Sequence, residues 1–265
     1  IINFFIFLIY VMCRIIYYYQ TFSTLEPIIY SNTITHIHLS SIHFGNQNNK
    51  PYIHLNDNSP YDSLFDNVWK ELFFASNNNI KIILMIGGAG GAFNDLFSNF
   101  EVYYSLLKNL INTKNIIDGI DLDIEESVSL DNVKMLINRI KKDFGPNFLI
   151  SMAPIQTALQ NDSPGLGGFI YKDLYSSLEG KLINYFNGQF YFDYSKNAYD
   201  AVVENGYPEE KVVMGMLMGQ DFDKIQIELK KLKEEYGSSF GGVFIWEYFG
   251  APNNWSKICN SILNT

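Results

Sequence analysis

Residues 118 to 125 of the chain read Asp118-Gly119-Ile120-Asp121-Leu122-Asp123-Ile124-Glu125. Side chains on an extended strand alternate faces, so Ile120, Leu122 and Ile124 share one face while Asp121, Asp123 and Glu125 share the other. Neighbours in this acidic file stand about 6.5–7 Å apart along the strand. Such a file on an apolar strand is costly to cover unless the carboxylates share protons or accept hydrogen bonds. Like-charged carboxyl groups held close together do not all ionise, and one keeps its proton, which is what a general acid requires. Glu125, last in the file, reaches furthest toward a pocket at the strand's C-terminal end. Other jobs compete for the same residues. A strand can simply present a wet polar face. A calcium loop would want Gly where Glu126 stands and no Ile or Leu between its ligands. The stronger competitor is an Asp121-x-Asp123 metal pair serving a nucleotide-sugar transferase.

The elements that must position these acids alternate along the chain. Strand-like runs cover Ile15 to Tyr19, Ile34 to Leu39, Ile80 to Ile86, Gly119 to Ile124, Phe148 to Met152, Tyr185 to Tyr191, Val212 to Met216 and Gly242 to Trp246. Between them lie helical patterns. Val133, Leu136, Ile137 and Ile140 recur at helical spacing before Gly145, and Ile225, Leu229, Leu232 and Tyr236 do so before Gly237. Eight strands alternating with helices predict an α/β fold, a single-domain (β/α)8 TIM barrel, over an open doubly wound sheet. In a barrel the functional groups sit at the C-terminal ends of several strands. Candidates stand there: Gly87 to Gly91 after the third run, Ala153-Pro154 after the fifth, Gln189-Phe190-Tyr191 at the sixth and Trp246-Glu247 at the eighth. The Gly87 to Gly91 run lacks the Lys-Ser/Thr ending of a phosphate-binding loop and reads as a tight turn that leaves room for substrate. Two insertions, Gly45 to Asp62 and Thr157 to Asp173, are expected as loops on the same face.

Composition narrows the partners. The 265 residues are 47% hydrophobic and 16% aromatic, enough for a large core with stacking surface for sugar rings. A net charge of -9 disfavours nucleic acid and anionic membrane, both of which reward basic patches. Cys13 and Cys259 are the only cysteines, so neither a disulfide framework nor a Cys-rich metal site is expected. His36-x-His38 could open a metal-hydrolase site, but no His lies in the second half of the chain to complete one. Ile1 to Met12 is apolar, too short to span a membrane and without a cleavage site; it reads as a truncated leader of an extracellular protein, or as non-native residues before a cytoplasmic start at Met12. Residues 1–13 are therefore set apart from a barrel covering 14–265.

At these motifs the chain resembles the family 18 glycoside hydrolases, the chitinase-like barrels. Their D-G-x-D-x-D-x-E signature, at the end of the fourth strand, is matched at each fixed position by Asp118 to Glu125. Lys81 to Gly88, Met152-Ala153-Pro154, Gln189-x-Tyr191 and Gly241-Gly242-x-x-x-Trp246 follow in the family's order. The resemblance implies a retaining hydrolase of β-1,4-linked N-acetylglucosamine that uses the substrate's own N-acetyl oxygen as nucleophile. It implies Glu125 as general acid, Asp123 as acceptor of the acetamido N–H, Asp121 as sharer of proton or charge with Asp123, and Tyr191 as donor to the acetamido oxygen. Trp246 would floor the sugar site, with Gln189, Met152, Gly87, Gly88 and Tyr18 completing the substrate-binding set. No cofactor or metal is implied. The partner would be chitin or an N-acetylglucosamine oligosaccharide, acted on by a monomer. Two other readings stay open: an endo-β-N-acetylglucosaminidase on N-glycans, and a lectin-like barrel, although in inactive members of the family it is commonly the Glu that is lost. Departures bear on the fine substrate contacts: Met85 stands where the family usually has Ser, and Phe192 where it has Asn or Asp.

Overall fold

The computed structural model describes residues 13–264; the expectations for Ile1 to Met12 lie outside the described residues. The strands are β1 (Arg14–Tyr19), β2 (His36–Gln47), β3 (Lys50–Leu55), β4 (Lys81–Gly87), β5 (Gly119–Asp123), β6 (Leu149–Met152), β7 (Tyr185–Gln189), β8 (Val212–Leu217) and β9 (Gly242–Trp246). All but β3 are parallel and pair with their neighbours in chain order, and β1 pairs with both β2 and β9, so eight strands close into a barrel with helices between them. This is a (β/α)8 barrel. Its strands are buried on both faces, which is why they read as near-continuous apolar runs.

Two apolar layers hold the wall. The outer one lies between strands and helices and contains Ile120, Leu122 and Ile124 from the acid segment together with Val133, Leu136, Ile137 and Ile140 from helix Leu130–Phe144. That helix starts where the Ser129 hydroxyl accepts from Asn132 N and stops at Gly145, whose φ of 87° suits glycine. Helix Phe222–Tyr236 buries Ile225, Leu229 and Leu232 in the same way. The inner layer, Ile16, Tyr18, Met85, Tyr185, Val213 and Phe244, fills the barrel beneath the acidic file.

The Asn-rich insertion after β2 departs from the loop expected there. β2 runs on to Gln47 and turns through Asn48 and Asn49, with φ of 53° and 60°, into antiparallel β3. Two consecutive left-handed residues make the turn that suits a two-residue hairpin, and Asn tolerates that conformation. The second insertion also has structure: helix Gln156–Gln160 opens it, a Pro164–Ile170 bridge crosses it and helix Tyr171–Ser176 closes it. Cys13 and Cys259 are buried free thiols. No helix among the described residues is long and apolar enough to cross a membrane.

Candidate active site

Register fixes which side chains meet. Asp121 on β5 pairs with Met85 on β4 and with Ser151 on β6, so all three point into the barrel. Asp121 is wholly buried, and its oxygens are met from several strands. Tyr18 Oη donates to Oδ2 at 2.7 Å, Ser151 Oγ donates to Oδ1 at 2.6 Å and Asn187 Nδ2 donates to Oδ1 at 3.2 Å. His38 Nδ1 lies 3.4 Å from Oδ2. Burial pushes this carboxyl's pKa up, but the His38 imidazole and the bonds from Ser151 and Tyr18 outweigh it and hold the group below its ordinary value.

One step up the file the environment reverses. Asp123 accepts from Gln189 Nε2 at 3.3 Å, and its backbone carbonyl accepts from Gly88 N at 2.8 Å. Burial first, then the charges of Glu125, Asp121 and Glu126, push its pKa well up, the opposite direction from Asp121. Gly87 and Gly88 explain the glycine run. Their φ values are 94° and 76°, and a Cβ on Gly87 would lie 2.3 Å from the Asp123 carbonyl oxygen, so β4 approaches the acid strand as only glycine allows. A Cβ on Gly88 would lie 3.5 Å from Asp123 Oδ2, on the cavity side.

Glu125 is half-buried at the top of the file. Burial and the Glu126 charge raise its pKa, with a smaller opposing pull from Gln189. Glu126 turns away from the site and accepts from the backbone N–H groups of Phe93 and Asn94 at the start of helix Ala92–Ser98. The Tyr191 phenol is pushed well above its ordinary value by burial and by Asp123, Glu125 and Asp121, so it stays a donor. Among the described residues its hydroxyl has no hydrogen-bond partner, whereas its backbone carbonyl is tied to Gln220 Nε2 at 2.7 Å. The Trp246 ring leans on Tyr18 at 5.3 Å between centroids.

Asp123, Glu125, Gln189, Tyr191, Trp246 and the Gly87-Gly88 turn line one cavity of about 290 Å³, near the lower end for a small-molecule site. A second, open basin of about 530 Å³ adjoins it through Gln20, Ser41 and Ala89 and is lined by His43, His54, Asn56 and Asp57 from the β2–β3 hairpin. A roomier groove of about 440 Å³ near Phe22 and Phe74 lacks this chemistry: its Glu71 is taken up by Thr24 Oγ1 and Leu25 N. Charge environment, rather than size, singles out the acidic cavity.

Two of the expected substrate contacts are corrected. Met152 is fully buried in the outer layer, because the period of two that turns Ser151 inward turns Met152 outward. Tyr18 faces inward but is 1% exposed and bound to Asp121, beneath the cavity. The sequence reading missed Ser151 and Asn187, and it weighed His38 only as half of a metal pair, whereas the ring lies against Asp121 and Tyr185. The Ser that the family places at position 85 has its counterpart across the strand, where Ser151 reaches Asp121 from the other side. Phe192, the other departure, is fully exposed.

Comparison with known proteins follows the same lines. The model of the glycosyl hydrolases family 18 matches residues 14–226. A fungal endo-β-N-acetylglucosaminidase from glycosyl hydrolase family 18 shares 32% identity and a TM-score of 0.85 over 94% of this chain and 98% of that one. Chitinase ChiC from Aspergillus fumigatus shares 31% identity and a TM-score of 0.84 over 91% and 93%. A family 18 chitinase from Pseudoalteromonas aurantia, at 21% identity and a TM-score of 0.73 over 94% and 100%, shares the fold. No curated protein matches the chain.

Proposed function

We propose, from the premise that this chain belongs to family 18 of the glycosyl hydrolases, that it is a chitinase hydrolysing β-1,4-N-acetylglucosaminide bonds with retention, through substrate-assisted catalysis. The enzyme is a chitinase-like glycoside hydrolase; the bond and the mechanism are our reading. One observation carries it: from the barrel interior outward, Asp121, against its burial, has its pKa lowered by His38, Ser151 and Tyr18, Asp123 has its pKa raised well up by burial and acidic neighbours, and Glu125, just past the strand end with its pKa raised, opens onto the cavity beside Asp123.

In this reading the protonated Glu125 donates its proton to the glycosidic oxygen as the bond to the anomeric carbon breaks. The substrate's acetamido oxygen, held by the Tyr191 hydroxyl, attacks that carbon from the other face and gives a cyclic oxazolinium ion. Asp123 takes the acetamido N–H on the oxygen that faces the cavity over Gly88. As positive charge builds on the acetamido group, Asp123 gives up its proton toward Asp121 and meets the charge as carboxylate. Glu125, now ionised, takes a proton from the incoming water, which opens the ring with overall retention. Trp246 provides the apolar floor.

A second reading, cleavage of the N-acetylglucosamine pair in an N-glycan core, is favoured by the 32% identity to a fungal endo-β-N-acetylglucosaminidase. Both readings cut the same type of bond. The test is cleavage of short N-acetylglucosamine oligomers and of a high-mannose glycopeptide by the purified chain, with Glu125→Gln and a chelator-treated sample alongside. Retained products from the oligomers, lost in Glu125→Gln and insensitive to chelator, support the chitinase; cleavage of the glycopeptide alone supports the second reading. Oligomers bound but left intact would make the chain a lectin-like barrel, and loss of activity with chelator would favour a metal-dependent mechanism.

A further inference from the structure

Of the buried titratable side chains that take no part in the chemistry above, one touches the acidic file. His38 stands on β2, wholly buried, directly beside Tyr18 on β1 in the strand register. The two rings pack at 4.8 Å and converge on one oxygen: Tyr18 Oη and His38 Nδ1 both face Asp121 Oδ2. His38 Nε2 is 3.2 Å from Tyr185 Oη on β7, which anchors the far side of the ring. Nδ1 has no well-aligned hydrogen-bond partner, so it meets the carboxylate as a close approach at 3.4 Å.

The surroundings leave His38 with that task. The groups facing its ring are Tyr18 from β1, Asp121 from β5, Tyr185 from β7 and, along its own strand, His36 at 6.4 Å between centroids. From β4 its register partner is the apolar Ile83, and Lys81 lies further down opposite His36. Arg14 sits over the Tyr185 ring and spends its guanidinium on the carbonyls of Glu210 and Gly241. Among the described residues His38 is the one basic side chain within ion-pair distance of any acid in the file.

We propose that His38 is a positioning residue: it holds Asp121 in place as the carboxylate, so that the proton available to the two inner acids rests on Asp123, next to Glu125. The proposal rests on the functional reading above and adds to it the group that sets the order of charge along the file. A buried carboxylate with only neutral donors would be drawn toward protonation by its burial. With the imidazole beside it, Asp121 stays ready to receive the proton that Asp123 must release.

The test uses His38→Asn, which keeps an N–H near the Nδ1 position without a titratable ring, and His38→Gln, which reaches toward Tyr185 instead. Two measurements are made. In kcat–pH profiles on N-acetylglucosamine oligomers, the acid limb, where Asp121 takes up a second proton, is expected to move to higher pH in both variants, with KM nearly unchanged. In ¹³C carboxyl NMR titrations without substrate, the Asp121 signal is expected to titrate at higher pH in the variants than in the parent chain. A lowered kcat with an unmoved acid limb and an unmoved Asp121 titration would reduce His38 to a packing residue and overturn the proposal. If neither variant folds, the imidazole ¹⁵N shifts of the parent chain decide: a neutral His38 ring beside an ionised Asp121 overturns the proposal, and an imidazolium there supports it. A parent chain that cuts no oligomer counts against the functional reading alone, because the carboxyl titration needs no substrate.

Discussion

Replacing Ser151 by Ala tests the charge on Asp121 through stability. Ser151 is 1% exposed and its hydroxyl donates to a wholly buried carboxylate at 2.6 Å, a distance typical of charge-assisted bonds. Alanine leaves no orphaned polar group of its own, so the loss falls on Asp121, which keeps Tyr18 at 2.7 Å and Asn187 at 3.2 Å. A hydrogen bond to a charged partner contributes about 1.5–3 kcal/mol, and one between neutral groups about 0.5–1.5 kcal/mol. Asp121 is held below its ordinary pKa in the folded state. Its ionisation therefore contributes stability that is fully present above the unfolded pKa, about 3.9, and is lost as pH falls through the lower folded value. Ser151→Ala should then lose about 1.5–3 kcal/mol at pH 7 and a smaller amount, about 0.5–1.5 kcal/mol, once Asp121 is protonated. The assay is urea unfolding of both proteins from pH 7 down to the lowest pH at which they fold, with matched slopes. A gap of only about 0.5–1.5 kcal/mol at both ends of the range would mean that the hydroxyl meets a neutral carboxyl, and the reading of Asp121 as the ionised inner acid would be wrong.

Three further outcomes follow from the same geometry. Glu126→Gln removes the charge that, after burial, raises the Glu125 pKa; because the reaction needs Glu125 protonated, the alkaline limb of the kcat–pH profile should move to lower pH, and a limb that stays put refutes the coupling. Tyr191→Phe removes a donor whose hydroxyl is otherwise unengaged, so steady-state kinetics should show kcat down by about 10- to 150-fold, the equivalent of a 1.5–3 kcal/mol hydrogen bond, with little change in folding. Trp246→Ala should raise KM for oligomers by up to about tenfold, the scale of an aromatic contact of 0.5–1.5 kcal/mol, measured by the concentration dependence of the initial rate.

What the sequence made legible was set by period. The acidic file, the eight parallel strands and the helical stripes at Val133 to Ile140 and Ile225 to Leu232 all carry a repeat that survives reading one segment at a time. The β2–β3 hairpin carries one too, with Ile42 and Phe44 facing Ile53 and Leu55 across it, but Asn48-Asn49 and Gly45 resembled a loop more than a turn. An alternation check on either side of the paired asparagines would have found it. Met152 was misplaced by a single residue, the smallest error a period-two element allows and one that swaps inside for outside. Ser151 and Asn187 carried no local signal, and His38 stood out only as half of the His36-x-His38 pair, which pointed to a metal and not to Asp121. Each becomes functional only through a partner 30 to 83 positions away on another strand, and nothing but the barrel's closure brings those strands together.

The order of charge in the file follows from where a barrel strand begins and ends. β5 climbs from a packed interior toward an open mouth, so its two acids and Glu125 just beyond it meet different amounts of protein and solvent although their local sequence is nearly repetitive. The deepest, Asp121, is reached by donors from β1, β6 and β7 and by an imidazole from β2, a concentration available only where all strands converge. Asp123 stands where that convergence has thinned to Gln189 and the turn after β4, too few donors to offset burial and its acidic neighbours, and its pKa is pushed well up. Glu125 has left the strand altogether and opens onto the cavity with its pKa raised chiefly by partial burial. On an outer helix residues two apart point about 200° away from each other, so the same three residues would no longer share one face running from interior to mouth, and the gradient in their pKa values would be lost.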